Sequence, residues 1–272
     1  MSWWLSGVMG VVQGLTEFLP ISSSAHLRIL PALVNQPDPG ASFTAVIQIG
    51  TILSVLIFFW KDLTIITNAL IRGLFNKQKR DKDFRMGVSI AIATIPIVVV
   101  GYFGQDFIKN EARSLYLVAY VMLIFSFVMY FVDRFSKQET KAENLTSTKI
   151  FFIGMAQALA LIPGFSRSGV TITAARLFGV NRAEAARFSF LLSVPAIVLS
   201  GVYEAIGISN SNPSGWGQTI FATVVSFIVG YLSIAWLIRW LGNHSLGAFV
   251  VYRIALSLLI IGLLNGGFIS NL

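Results

Sequence analysis

The sequence predicts an all-α polytopic membrane protein, an inverted-topology repeat of six transmembrane spans plus two re-entrant helix pairs. Three observations predict it. Apolar runs of spanning length recur along the chain, two further apolar segments are interrupted by polar clusters, and basic residues gather in short loops between the runs. Composition agrees: 55% hydrophobic and 12% charged residues, with mean hydropathy +0.75, give more apolar surface than a soluble core of this length would bury.

A helix needs roughly 20 apolar residues to cross about 30 Å of hydrocarbon. Runs near that length lie at Phe43–Trp60, Met86–Gly104, Leu115–Val132, Phe188–Ile206, Trp216–Arg239 and Gly247–Leu264, which gives the six spans. The segments Trp3–Leu33 and Ile150–Val180 are long enough to span, but they hold the clusters Ser22-Ser23-Ser24-Ala25-His26 and Ser166-Arg167-Ser168. Each is therefore expected as a broken helix pair. The stretch Lys61–Arg85 carries Lys61, Arg72, Lys77, Lys79, Arg80, Lys82 and Arg85 and reads as a cytoplasmic loop. Counting outward from it puts Gln105–Arg113 outside, Arg134–Lys149 inside, Gly207–Gly215 outside, Arg239–His244 inside, and both termini outside. The two broken pairs then enter from opposite faces. Tryptophans near span ends (Trp3, Trp4, Trp60, Trp216, Trp236, Trp240) form an aromatic belt.

The formal charge of +8 reads as topology, not as a nucleic-acid surface. With no Cys, disulfides, thiolate nucleophiles and Cys-based metal sites are excluded, and two histidines, His26 and His244, leave little scope for zinc. The first basic residue is Arg28, so no cleaved targeting segment is expected.

The halves, residues 1–135 and 148–272, resemble each other at an offset of roughly 144 residues. Gln13 through Pro20-Ile-Ser-Ser echoes Gln157 through Pro163-Gly-Phe-Ser, and Ala41-Ser42-Phe43 echoes Ala186-Arg187-Phe188. With opposite orientation this predicts one membrane domain of two inverted repeats, its site where the broken helices meet. Non-helical backbone is tolerated at that depth only under cover of protein or water.

Glu17 lies in the first re-entrant helix, where a carboxylate facing lipid would be expensive; it should face protein, a cavity or a cation. Gln13 sits one turn earlier on the same face. Pro20 ends that helix, and Ser22, Ser23 and Ser24 open the next. Any one serine serves as an N-cap, but three followed by His26 combine hydroxyls, helix-start amides and an imidazole, a set that suits phosphate. In Pro163-Gly-Phe-Ser166-Arg167-Ser168-Gly169-Val-Thr171, an Arg inside an apolar stretch calls for an anion, which its fork binds bidentately. Gly169 permits close backbone approach, and Ser166, Ser168 and Thr171 add donors. The competing reading is an Arg167–Glu17 pair that only holds the hairpins together. Gln48 either lines the same cavity or bridges helices. Asp106, Asp133 and Glu204 are expected at the interface, and Arg253 is a costly charge for which the sequence names no partner.

The two motifs, Gln13-Gly-Leu-Thr-Glu17-Phe-Leu-Pro-Ile-Ser-Ser-Ser-Ala-His26 and Pro163-Gly-Phe-Ser-Arg-Ser-Gly-Val-Thr171, resemble the signatures of the bacterial undecaprenyl-pyrophosphate phosphatase family, also called bacitracin resistance proteins. The resemblance covers the whole chain. It implies hydrolysis of undecaprenyl pyrophosphate to the monophosphate that carries cell-wall precursors, at a site opening to the outer face of the bacterial cytoplasmic membrane. It also implies a divalent cation, Mg2+ or Ca2+, with Glu17 the tentative metal ligand. Position by position, Glu17 matches the essential carboxylate, Ser23 the proposed nucleophile, His26 its neighbour, and Ser166, Arg167 and Thr171 the phosphate loop. Gln13 is an allowed variant of the family's first acidic position. Thr44 stands where some members carry an acid, so a two-carboxylate metal site is not expected. The implied partners are the lipid pyrophosphate and membrane lipids, with a homodimer left open and no nucleic acid. On this reading Ser23 attacks in line while His26 or Glu17 takes its proton, or Glu17 holds an attacking water. The rival class is a polyprenyl-phosphate flippase, since broken helices meeting at the midplane are also transporter architecture.

Overall fold

The computed structural model describes residues 1–34, 36, 39–104, 114–206 and 215–270. The predicted loop 105–113 with Asp106, the predicted loop 207–215 except its last residue, and the side chain of Glu204 lie outside the described residues. Among those described, eleven α-helices follow one another: α1 (Trp3–Phe18), α2 (Ser23–Leu33), α3 (Ala41–Phe58), α4 (Trp60–Phe75), α5 (Lys82–Phe103), α6 (Leu115–Phe135), α7 (Ser147–Gln157), α8 (Arg167–Leu177), α9 (Arg182–Ile206), α10 (Trp216–Asn243) and α11 (Gly247–Asn265). Polar residues start several of them where the sequence changes from loop to apolar run. Ser2 accepts from the Leu5 amide, Asp81 from Phe84 and Thr146 from Lys149, each satisfying an amide that the first helical turn leaves unpaired.

Five helices, α5, α6, α9, α10 and α11, are long and apolar enough to cross a membrane, and α3 with α4 makes a sixth candidate bent by 73°. The chain is a multi-pass membrane protein. By contrast α1, with 16 residues, is only about 24 Å long, and α2, α7 and α8, with 11 each, about 17 Å. None of these four reaches across about 30 Å. The two apolar segments with polar interruptions are broken helix pairs, α1/α2 and α7/α8, as expected.

The bend corrects one expectation. Residues Trp60–Phe75 form helix α4, not the front of a loop. Its apolar residues Leu63, Ile66, Leu70 and Leu74 recur at helical spacing among Lys61, Asp62, Asn68 and Arg72, a two-faced pattern that overall charge conceals. Ala69 and Gly73 face inward, and Phe84 of α5 packs on Gly73.

On the spans, the sequence period sets what is buried. The inward stripe of α6 is Val118, Ala119, Met122, Phe125, Ser126, Met129 and Asp133, a 3.6-residue repeat, while Ile124, Phe127 and Phe131 face outward toward lipid. Helix contacts recur in matching pairs along the two halves. α1 lies along α10 as α7 lies along α5, α1 meets α2 as α7 meets α8, and α3 packs on α10 as α9 packs on α5. Two glycines make the first match close: a Cβ on Gly10 would stand 2.5 Å from the Ala222 carbonyl oxygen, and one on Gly154 would stand 2.1 Å from that of Ala93. Gly154→Ala should therefore push α7 off α5 and lower thermal stability in detergent by about 1–3 kcal/mol. Gly262→Ala, where a Cβ meets nothing within 4 Å, is the control and should be neutral or stabilising.

Asp133, expected at the interface, is instead buried. It accepts from Arg176 Nε at 3.1 Å, Arg182 Nε at 2.7 Å and the Leu246 amide at 2.9 Å. Two guanidiniums offset its desolvation, and the cluster joins the end of α6 to α8, α9 and the start of α11. In the linear sequence its partners are more than 40 residues away, so position near a span end was a poor guide.

Candidate active site

Proline ends the helix in each broken pair. Leu19 caps α1 and Pro20 follows. α7 tightens into a 3-10 turn over Ala158–Leu161 before Pro163. Each chain then restarts a helix through a serine held at positive φ, Ser22 at 76° and Ser166 at 67°. They are the only non-glycine residues with positive φ among those described. This conformation costs about 1–3 kcal/mol at a non-glycine residue and persists only where surroundings impose it. Gly164, at φ 104°, supplies the same freedom without that cost.

The hydroxyls repeat the symmetry. Ser22 and Ser24 are hydrogen-bonded at 3.1 Å, and Ser166 and Ser168 at 3.2 Å. The breaks touch directly where the Gly164 amide donates to Ser24 Oγ at 3.4 Å. Ser166 caps α8 by accepting from the Gly169 amide, whereas Ser22 makes no side-chain cap on α2. The first turn of α2 thus has no hydroxyl cap of its own.

Glu17 is the centre of the cluster. Its Oε2 accepts from Ser23 Oγ at 3.0 Å and Gln13 Nε2 at 3.3 Å, and Arg167 Nη2 stands 4.0 Å from its Oε1. Its side chain is 8% exposed and that of Arg167 22%. At 4.0 Å the Arg167–Glu17 pair is loose, and Arg167 Nη1 is buried with no hydrogen-bond partner among the described residues. A guanidinium with an unspent, inward-turned donor is poised for an acceptor that the described residues do not provide. Beside it a cavity of about 10 Å³, room for roughly one water, is lined by Glu17, Arg167, Ser168, Ser189 and Ser193.

Other expected residues stand differently. His26 is near the cluster but engaged: Nδ1 meets the Ser22 carbonyl at 2.7 Å and Nε2 the Tyr252 hydroxyl at 2.6 Å. A carbonyl only accepts, so Nδ1 carries a proton, and in the neutral ring Nε2 accepts from Tyr252. The imidazole thereby holds the strained Ser22 in place. Thr171 is fully buried, its hydroxyl donating to the Arg167 carbonyl at 2.8 Å and paired with Ser189 of α9. It fixes the start of α8 against α9. Gln48 is half-buried on α3 and is not among the residues lining the cavity. Sequence reasoning did not find Tyr252 or Ser189, whose roles depend on contacts 226 and 18 residues along the chain.

Hard divalent cations take oxygen ligands, and Mg2+ in particular is held by one or two carboxylates together with substrate phosphates. The donor set fits this. Glu17 is a carboxylate, and Gln13 Oε1 is a buried oxygen with no hydrogen-bond partner among the described residues. The described residues contain no cluster of three or more His, Cys, Asp or Glu able to hold a metal.

Comparison with known proteins places these features in a family. The family described as Bacitracin resistance protein BacA matches residues 6–259. Curated relatives named undecaprenyl-diphosphatase include those of Clavibacter michiganensis, 47% identical over 99% of this chain and 100% of its own length, and Nocardioides sp., 46% identical over 97% of each. A third, from Corynebacterium efficiens, is 45% identical over 99% of this chain and 93% of its own. On a match of this length and identity, the chain belongs to the bacitracin resistance protein BacA family.

Proposed function

We propose that this protein hydrolyses undecaprenyl pyrophosphate to undecaprenyl phosphate and inorganic phosphate, recycling the lipid carrier for cell-wall synthesis. One observation carries the reading: a serine hydroxyl donates to a buried carboxylate beside an arginine with an unspent donor. Nucleophile, base and anion clamp are thereby within reach of one phosphoryl group. A flippase would need the clamp, whereas the Ser23–Glu17 pair adds the nucleophile and base that hydrolysis requires.

In the proposed reaction Ser23 Oγ attacks the terminal phosphorus in line, and its proton passes to Glu17 Oε2 along the existing hydrogen bond. The bond from that phosphorus to the bridging oxygen breaks, and undecaprenyl phosphate leaves with the electron pair. Glu17 gives up the serine proton to the departing phosphate. Water then attacks the seryl phosphorus and passes its proton to Glu17, the Ser23 Oγ–phosphorus bond breaks, Ser23 Oγ takes that proton back from Glu17, and inorganic phosphate leaves. Arg167 and the amides at the start of α2 hold the equatorial oxygens, whose charge dominates phosphoryl transfer. Glu17 and Gln13 would hold a divalent cation, which supplies charge neutralisation at the phosphates. His26 is assigned to holding the loop, because both ring nitrogens are already engaged.

Purified protein in detergent is expected to release inorganic phosphate from undecaprenyl pyrophosphate; no release from folded protein would overturn the reading. Ser23→Ala should lower the rate by about 10²-fold or more, and a labelled phosphoenzyme should be trapped in the parent protein. Substantial turnover by Ser23→Ala would instead select an attacking water held by Glu17.

We further propose that the two halves are inverted repeats in the bacterial cytoplasmic membrane, the site opening to the outer face. Supporting this are the paired helix contacts, the glycine contacts of Gly10 and Gly154, and the strained serines 144 residues apart. In this Cys-free chain, a cysteine at Gln78 should be labelled only from the cytoplasm and one at Asn212 only from outside. Labelling both from the same face would overturn the inverted-repeat model while leaving the chemistry untouched.

A further inference from the structure

Arg253 lies within the apolar helix α11, fully buried. Among the described residues the other fully buried arginine, Arg176, has the Asp133 carboxylate as counter-ion. Arg253 has no carboxylate within salt-bridge distance among the described residues; what surrounds it is oxygen of a neutral kind. Nε donates to Ser126 Oγ at 3.0 Å, Nη2 to the carbonyls of Gly164 at 2.9 Å and Met122 at 3.4 Å, and Nη1 to those of Pro20 at 3.4 Å and Phe165 at 3.5 Å. The Phe125 ring lies 5.5 Å from the guanidinium carbon.

Pro20 belongs to the first chain break and Gly164 and Phe165 to the second, so a single side chain holds both non-helical turns by their backbones. Those turns set the start of α2, with Ser23, and the start of α8, with Arg167. Charge-assisted bonds to three loop carbonyls supply what the loops cannot supply themselves, since their carbonyls have no place in a helix ladder. A buried cation without a counter-ion is otherwise a heavy penalty, and it is relieved when an anion enters nearby.

We infer that Arg253 is a positioning residue for phosphoryl transfer, clamping the two chain breaks together so that Ser23 and Arg167 address the same phosphate. Its uncompensated charge also favours an anionic headgroup in the site. The inference rests on the phosphatase reading. Lysine keeps the charge but is a point donor that cannot span Pro20, Gly164 and Ser126 together. Arg253→Lys should therefore bind substrate and turn it over poorly.

The test is phosphate release from undecaprenyl pyrophosphate by purified parent, Arg253→Lys and Ser126→Ala proteins in detergent, each with its thermal unfolding curve. Arg253→Lys is expected to lose at least tenfold in kcat, with KM within about threefold and unfolding close to the parent's. A purely structural arginine would give less folded protein with unchanged kcat per folded molecule. Folded Arg253→Lys with kcat within threefold of the parent would overturn the inference. If Arg253→Lys does not fold, Ser126→Ala decides. It removes only the acceptor that orients Nε, and a three- to tenfold loss of kcat at unchanged KM supports the clamp, whereas unchanged kcat overturns it. An inactive parent would refute the phosphatase reading itself, and the role of Arg253 in that reaction falls with it.

Discussion

Glu17→Gln is expected to reduce phosphate release by about 10²–10⁴-fold while leaving the helices in place. Glutamine keeps the shape of the side chain, and its Oε1 can still accept from Ser23. It lacks the charge that makes the carboxylate a proton acceptor and a cation ligand. The local setting makes this a demanding substitution to compensate, because Glu17 receives both the Ser23 hydroxyl and the Gln13 amide on one oxygen and faces Arg167 on the other. Gln13→Glu, by contrast, should retain activity, since the resemblance allows either residue there. The measurement is phosphate release at saturating substrate, with thermal unfolding as the control for folding. Near-normal turnover by folded Glu17→Gln protein would remove Glu17 from the chemistry.

Arg167→Lys should be nearly as damaging as Arg167→Ala. The planar fork presents parallel donors to a phosphate, which an ammonium cannot match. Losing about 3 kcal/mol of transition-state stabilisation lowers turnover by roughly two orders of magnitude. Substrate affinity should suffer less. The competing view, in which Arg167 only pins Glu17, predicts that lysine still satisfies the carboxylate and that the alanine variant fails mainly by instability. The 4.0 Å separation and the unpartnered Nη1 already argue for a fork that is waiting, not one that is spent. Turnover and unfolding of both variants, measured side by side, separate the two views. A well-folded lysine variant with close to full activity would sink the phosphate-fork assignment.

Much of this protein is legible in its sequence because membranes impose a strong and one-dimensional constraint. Length and hydropathy fixed the spans, since only a helix of sufficient apolar length satisfies its backbone in hydrocarbon. Polar interruptions in Trp3–Leu33 and Ile150–Val180 marked the broken pairs, because such residues at depth are tolerated only where they serve a site. Glu17, Ser23 and Arg167 were found by the same argument, and the structure brings them together. Helix α4 was misread as loop because its charges outweigh its apolar stripe in any average, and only spacing reveals the stripe.

The tertiary structure decided what depends on partners distant in sequence. Asp133 became a buried hub because Arg176, Arg182 and the Leu246 amide converge on it, and its place near a span end carried no trace of that. His26, chemically able to act as a base, was drawn into a structural role by the Ser22 carbonyl and by Tyr252. Arg253 was visible only as an expensive charge; which groups meet it was set by the packing of α11 against α6 and both chain breaks. Residue type and position along a span reveal that a polar group must be satisfied, for desolvation is a property of the group alone. The partner that satisfies it is a matter of geometry between segments, and that is settled only when the helices pack.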